Sequence, residues 1–591
     1  DAQESRGLGD VYKRQDKQHS NAEIREARAT ERTAKQAQPA LAQTGYAVEI
    51  SQSDGCFRYY RDNALVYCGE LSVTLDTAEK KEVTMLLQEP PVAEPREDGT
   101  TVVSYRCGSS VFSEKQLVFT FYPAYFTLKA TVQGVCARVT DITYGASGRK
   151  EGFAQYISPR FDWNAGTVCK DISEDDILSC QQWLSPPPFA FVYTDGARCC
   201  AIGVLAKPGQ NTYVSMKHLG AANAFSLQME GHLSIDGGYE TPALVFAPPA
   251  ERWNDAVMAY KEILVAQGAV PAVEKKEIPR WWREPIFCGW GQMRYDYRQD
   301  HDNDENSNFV NVTDYCTQKR YEEYLRSLEQ NDINPGTIII DMGWAQDPAM
   351  AKPNPHKWED MRGFIDNQHR LGRHVLLWYT PVVTQGLPDS ACLMLEGRPV
   401  ASDPTSPVYQ AILKEQIRLM LSDEADALNA DGFKIDFTQN TPSEEGVFKD
   451  YINSFWGLIN ENNAKHLYPH RADRQELIRV YDPTVWGVEL LRRYIGNLYA
   501  DMKAVKPDSM LITHTPNPYF ADVVDVLRLN DLDGESDNVL DIMTARAQIA
   551  QIGCKHWLID TDNDLMINNS RWRDYITLQP KLGIPDTYYI H

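Results

Sequence analysis

The sequence predicts an antiparallel β-sandwich followed by a (β/α)8 TIM barrel, and three observations carry that prediction. At 591 residues the chain exceeds what one hydrophobic core supports, so two or three domains are expected. From about Tyr46 to Pro249 it is written in short alternating runs separated by turn residues, the texture of antiparallel strands. Beyond Pro279 the pattern changes to strand, helix, strand, helix, which implies a parallel sheet.

Residues 1–44 are expected to form a tail. The chain does not begin with Met, and Asp10-Val-Tyr-Lys-Arg-Gln15 has the form of a sequencing-adaptor read-through, so the first stretch is set aside as an assembly artefact. From Asp16 to about Gln43 the chain is polar and charged with no apolar face to bury. Residues 45–250 are expected to form the sandwich, with strands at Leu117 to Tyr122, Tyr125 to Ala130, Phe189 to Tyr193, Cys200 to Leu205 and Ala224 to Gln228. Asp-Gly pairs at 54, 98, 195 and 236 supply hairpin turns between them. A linker helix falls within 251–280, where Trp253, Val257, Tyr260 and Leu264 recur at helical spacing without Gly or Ser runs. It should act as a rigid pin between the two halves.

The barrel is expected over 281–591. Its strands are predicted at Pro285 to Gln292, Gly336 to Asp341, His374 to Tyr379, Gly432 to Phe437, Met510 to Thr515, Val524 to Leu529 and His556 to Asp560, with a candidate eighth at Thr587 to Ile590. Helices are predicted at Tyr321 to Gln330, His356 to Leu371 and Gln410 to Leu421. The chain stops just after the eighth strand, which reads as a truncated end. One connection, Thr438 to Ser509, is far longer than a βα unit needs and is expected to wall the mouth of the barrel, the alternative being decoration on its flank. It contains Trp456, Tyr468, His470, Arg471, Arg474 and Trp486.

Composition narrows the function. Lys plus Arg number 59 against 82 Asp plus Glu, a net charge of −23 that repels nucleic-acid phosphates and anionic membranes. No run of 18 apolar residues exists, so no membrane-spanning helix is expected. Twelve cysteines without CxxC or His/Cys spacing read as free thiols in a reducing compartment, and no cofactor or metal is expected. That makes the protein cytoplasmic by expectation, with a lost signal peptide left open. Thirteen Trp and 30 Tyr offer flat faces for packing and for stacking on sugar rings.

The polar residues at the predicted C-terminal strand ends carry the chemistry. Strand 4, Gly432-Phe-Lys-Ile-Asp-Phe437, points Phe433 and Ile435 one way and Lys434 and Asp436 the other, into the barrel. Strand 2 ends in Asp341-Met-Gly-Trp344, strand 5 in His514-Thr-Pro-Asn517, strand 6 in Arg528-Leu-Asn-Asp531 and strand 7 in Asp560-Thr-Asp562. Strand 1 offers Trp290, and strand 3 Trp378-Tyr379. Carboxylates and indoles around a barrel mouth suit glycoside chemistry, in which two carboxyl groups cleave the bond and others hold hydroxyls.

The order of these motifs resembles the clan of retaining α-glycosidases that contains glycoside hydrolase families 27, 31 and 36, and most resembles family 36, the bacterial α-galactosidases. That resemblance implies a sandwich before the barrel. It also implies a nucleophile at Asp436 in Lys434-Ile-Asp436 and an acid/base at Asp531 in Arg528-Leu-Asn-Asp531. Asp341, Trp344, Trp378, Lys434, His514 and Arg528 become the expected substrate-binding residues, and an oligosaccharide or glycoside the expected partner. The family pattern has a second Asp after the one matched by Asp341; here Met342 stands in its place, which puts galactose itself in question. Lys434 is expected to pair with Asp436 and keep it ionised, and the charge of Asp436 to keep Asp531 protonated. Asp533 and Asp537 are rival acids. In a retaining enzyme the two carboxyl groups stand roughly 5 to 5.5 Å apart. Three functions stay open at this stage: an α-glycoside hydrolase, a transglycosylase using the same aspartates, and a non-catalytic carbohydrate-binding protein. A homo-oligomer is compatible with each.

Overall fold

The computed structural model describes residues 41–590 apart from 44, 147, 149–150, 163–164, 180–189, 275–276, 302–308, 445–475, 533–536 and 565–568. Four antiparallel strands, Leu41–Gln43, Tyr46–Ser51, Cys56–Arg61 and Ala64–Glu70, make one layer of the N-terminal sandwich. A fourteen-stranded antiparallel sheet running from Val73 to Phe246 makes the other. Alternation turns Phe57 of the first sheet inward onto Phe119, Phe126 and Phe246 of the second. Ring centroids lie 5.5, 6.3 and 5.6 Å from it, in edge-on contacts that suit aromatic quadrupoles.

Two strands are longer than their apolar runs suggest. Phe126–Tyr144 and Ala224–Glu240 pair along most of their length, with register shifts near Val139. Asp236-Gly237 is therefore no hairpin turn: it lies inside the second of these strands opposite Val135 and Gly134, Gly237 taking φ +95° there. The pair was a turn signal by composition alone, and cross-strand pairing overrode it.

Helix α1 (Trp253–Ala266) follows the sandwich, burying Val257, Tyr260 and Leu264 against the strand Cys199–Leu205. The barrel strands are β1 (Ile286–Cys288), β2 (Thr337–Ile340), β3 (His374–Tyr379), β4 (Gly432–Ile435), β5 (Met510–Thr513), β6 (Val526–Arg528), β7 (Leu558–Asp560) and β8 (Asp586–Thr587). All neighbours along β7-β6-β5-β4-β3-β2-β1-β8 pair in parallel. A bridge from Asp560 to Ile584 brings the two ends of the sheet together. Strand 1 is shorter than expected, because Trp290 already opens helix α2 (Trp290–Asp300).

The remaining helices begin where their caps dictate. Thr317 accepts a hydrogen bond from Arg320 N before α3 (Gln318–Gln330), Asp360 from Gly363 N before α4 (Met361–Arg370), and Ser406 from Tyr409 N before α5 (Pro407–Leu421). α6 (Val488–Val505), α7 (Val539–Gly553) and α8 (Trp572–Leu582) complete the described set used below.

Sandwich and barrel share one continuous hydrophobic core. The sandwich strand Ala165–Asp171 lies so close to α7 that a Cβ on Gly166 would stand 2.7 Å from Ala545 Cβ. Glu489 at the start of α6 accepts hydrogen bonds from the Gly209 and Asn211 N–H groups at 2.6 and 3.2 Å. Trp486 does not wall the barrel mouth: it is buried with its ring stacked on His232 of the sandwich, centroids 3.7 Å apart. The other residues named in the long connection, Trp456, Tyr468, His470, Arg471 and Arg474, fall outside the described residues. With apolar packing and buried hydrogen bonds crossing the boundary, sandwich and barrel are expected to melt in a single calorimetric transition, and two resolved transitions would refute this coupling.

Candidate active site

β4 turns its alternate residues into the barrel, and Lys434 and Asp436 stand at its C-terminal end as the alternation requires. Their partners differ from the expectation. Lys434 Nζ lies 2.7 Å from Asp341 Oδ2 at the end of β2, so this ion pair crosses the barrel interior rather than running along β4. Burial opposes the lysine's charge, but Asp341, then Cys288 and Asp436, together outweigh burial and hold the ammonium firmly protonated. Asp341 Oδ1 is taken by the Met342 N–H at 2.8 Å.

The cation in contact with Asp436 is Arg528, the last residue of β6. Arg528 Nη2 donates to Asp436 Oδ1 at 3.1 Å, and Nη1 donates to Asp531 Oδ1 at 2.8 Å and to Asp562 Oδ2 at 2.7 Å. Nη2 also donates to His514 Nδ1 at 3.2 Å, which places the histidine's proton on Nε2, facing Thr438 Oγ1 at 2.7 Å. His514 is buried, and burial followed by Arg528 pushes its pKa down to about 3. It is a neutral prop behind Asp436 rather than a wall of the pocket. Trp344 is likewise corrected: it is buried, donating its indole N–H to the Trp378 carbonyl at 2.9 Å, behind the residue that does reach the site.

Asp436 also accepts from its neighbour Phe437 N at 2.9 Å and from Trp378 Nε1 at 3.2 Å. Burial pushes its pKa up, but Arg528, then Lys434 and His514, outweigh that and bring it to about 2. Asp531 goes the other way. Burial raises it against the pull of Arg528, and Asp564, Asp562 and Asp436 add to the rise, carrying it to about 7. The charge of Asp436 thus acts in the direction expected from the sequence but is the smallest of these contributions to Asp531. Of the rival acids, Asp537 is exposed and is not among the residues lining the cavity described below, and Asp533 lies outside the described residues.

These groups surround a cavity of about 270 Å³, on the order of nine water volumes. Asp341, Trp378, Lys434, Asp436, Arg528 and Asp531 all line it, with Trp290 at the mouth of β1. Sequence reasoning missed Arg294 and Asp564, which also line it and face each other at 3.4 Å. Arg294 sits one helical turn after Trp290 on α2, a spacing hidden by reading that segment as strand. Asp564 continues the alternation Asp560, Asp562, Asp564, and that run was the available signal.

The backbone around the carboxylates is bent out of its ordinary range. Phe437, next to Asp436, has φ +58°; Asn530, next to Asp531, has φ +68°; Asp562 has φ +41°. Left-handed backbone costs about 1–2 kcal/mol in a non-glycine residue, most readily tolerated by Asn and Asp. Arg546 on α7 fixes the second of these bends by donating Nη1 to the carbonyls of Leu529, Asn530 and Asp531 at 2.8, 2.7 and 3.0 Å. Its guanidinium lies 5.6 Å from the ring of Phe161, a sandwich residue.

No family model matches the chain, and no curated protein matches its sequence. Among solved structures, a family 31 sulfoquinovosidase from E. rectale is similar at 9% identity and TM-score 0.50, over 92% of this chain and 78% of that one. An α-galactosidase from Thermus thermophilus is similar at 13% identity and TM-score 0.48, over 85% of this chain and 96% of that one. A family 31 dextranase from Flavobacterium johnsoniae is similar at 11% identity and TM-score 0.46, over 94% of this chain and 66% of that one. All three are glycoside hydrolases, and at 9% identity what the chain shares with the sulfoquinovosidase is the fold.

The opposed protonation states have a stability signature. Asp531, raised from its ordinary 3.8 to about 7, contributes stability while protonated and loses it as pH rises through that window. The melting-temperature difference between Asp531→Asn and the parent should therefore grow from about pH 4 to about pH 7 and level off beyond. A difference independent of pH would contradict the raised carboxyl.

Proposed function

We propose that the protein is a retaining α-glycoside hydrolase acting on α-galactoside-like oligosaccharides through two aspartates. The observation that carries this reading is the pairing of an ionised Asp436 with a protonated Asp531 on the two arms of one buried guanidinium, both facing the same cavity. Two neighbouring carboxyls pushed apart in pKa have the division of labour that glycosidic cleavage needs.

The steps follow from these states. Asp436 attacks the anomeric carbon while the bond from that carbon to the leaving oxygen breaks, and Asp531 gives that oxygen its proton. A glycosyl ester on Asp436 and an ionised Asp531 result. Asp531 then takes a proton from water as the water oxygen attacks the anomeric carbon, releasing Asp436 and restoring the acid. Arg528 stays charged throughout and stabilises whichever carboxylate is ionised. The indoles of Trp290 and Trp378 offer faces for the sugar's C–H groups, and Asp341 with Lys434 offers acceptors and donors for hydroxyls at the bottom of the pocket. The fold shared with the sulfoquinovosidase supports the same reading. Met342 in the cavity wall supplies no hydroxyl partner beside Asp341, which favours a sugar that differs from galactose where Met342 touches it. A sugar acceptor in place of water would turn the same site into a transglycosylase.

A panel of aryl α-glycosides, assayed with and without added sugar acceptor, tests the class. Asp436→Ala should fold and lose turnover, and near-parental rates in that variant would end the proposal. For Asp531→Ala, rates on poor leaving groups should fall by about 10²–10⁴ while activated aryl glycosides still react and azide restores turnover. In the parent, kcat/KM should fall as pH rises through about 7, and this limb should vanish in Asp531→Ala. Retention of the limb in that variant would remove Asp531 from the role of acid.

A further inference from the structure

Asp562 is fully buried and does not line the cavity, yet its carboxylate is fixed on both sides. Oδ1 accepts from the Asp564 N–H at 2.9 Å and Oδ2 from Arg528 Nη1 at 2.7 Å. Its own backbone is held by the Tyr575 hydroxyl, which donates to the Asp562 carbonyl at 2.8 Å. With Asp531 on the same nitrogen, and Asp436 and His514 on the other, the four terminal N–H groups of Arg528 have four acceptors.

A guanidinium beside a single carboxylate closes on it with two parallel hydrogen bonds, which holds that carboxylate strongly ionised. Here Asp531 has a single bond: a fork would need Nη2 as well, whose N–H groups go to Asp436 and His514, and the other N–H of Nη1 goes to Asp562. We infer that Asp562 is a positioning residue of the acid/base pair: it shares Arg528 Nη1 with Asp531, so that arm is divided between two carboxylates, whereas Asp436 is the one carboxylate on Nη2, beside His514. The inference rests on the two-aspartate reading above.

The groups facing Asp531 come from the ends of three strands and from one helix. Arg528 ends β6 just before it, Asp436 follows β4, Asp562 and Asp564 follow β7, and Arg546 of α7 binds its backbone carbonyl. Arg294 of α2 faces Asp564, while Asp560 and Asp586 face Asp562 from below. Neutralising Asp562 removes a negative neighbour from Asp531 and leaves Asp531 the one carboxylate on Arg528 Nη1. Both changes favour the ionised form of Asp531, so its titration should move to lower pH.

The test is a carboxyl titration of Asp531 by ¹³C difference spectroscopy against Asp531→Asn, which needs no turnover, run beside the pH profile for an aryl α-glycoside. In Asp562→Asn, the Asp531 titration and the alkaline limb of kcat/KM should both move down by about one pH unit or more. In Asp562→Glu, which keeps the charge, the titration should stay near the parental value. A coincident titration in parent and Asp562→Asn, or an equal shift in the Glu variant, overturns the inference. Should Asp562→Asn fail to fold, ¹⁵N guanidinium spectra of Asp531→Asn decide it. An Arg528 Nη1 proton still protected from exchange is expected, and rapid exchange overturns the role of Asp562. A parent without glycosidase activity whose Asp531 still titrates as described would sink the functional reading and leave the positioning intact.

Discussion

The Arg528 guanidinium, buried at the end of β6, holds one oxygen of each of Asp436, Asp531 and Asp562. Three carboxylates gathered at one point from three loops would repel one another and push up each other's pKa. A planar, permanently charged fork is the side chain able to meet several of them in fixed directions, which a lysine ammonium at this place would not do. Taking a charge out of a buried group of this kind costs about 3–5 kcal/mol, because the partners left behind are uncompensated. The positions of β4, β6 and β7 at the barrel mouth are therefore tied together by charge as well as by the parallel ladder.

The sandwich takes part in this arrangement from behind. Phe161 lies against Arg546, and Arg546 gathers the carbonyls of Leu529, Asn530 and Asp531. The closeness of Gly166 to α7 keeps that helix, and so Arg546, pressed between the two halves. A domain that lends the cavity no side chain among the described residues still sets the shape of the loop on which Asp531 sits. Sandwich strand, helix and loop form a chain of packed contacts, and rigidity in it is what lets a short bent loop keep its direction.

Much of this was legible in the sequence. Period-2 runs and their helical intervals marked the barrel strands, and the direction of Lys434 and Asp436 followed from Phe433 and Ile435 pointing outward. Pairing across the barrel was not legible, since alternation tells which face a side chain takes and not which strand it meets there. Hence Lys434 was matched to Asp436, its neighbour in sequence, whereas the closer partner is Asp341 on β2. Arg294 escaped because a Trp at a strand end and a Trp opening a helix look alike locally. Trp344 and His514 were drawn into the pocket by their motifs, but both have a nearer polar partner: the Trp378 carbonyl for one, Thr438 and Arg528 for the other. Asp236-Gly237 shows the same limit in the sandwich, where strand pairing decided what local composition left ambiguous.

The left-handed Phe437 sets heat resistance and turnover against each other at one position. Asn530 and Asp562 are residue types that accept such a backbone, whereas a bulky phenylalanine gains nothing from it. A protein's net stability is about 5–15 kcal/mol, so the relief of even this one bend is a sizeable share of it. Selection for thermostability alone would drift toward glycine or asparagine at 437, easing the bend but giving up the ring that lines the cavity 6.0 Å from that of Trp378. Variants gathered under heat and variants gathered under substrate limitation should thus part company first at this residue.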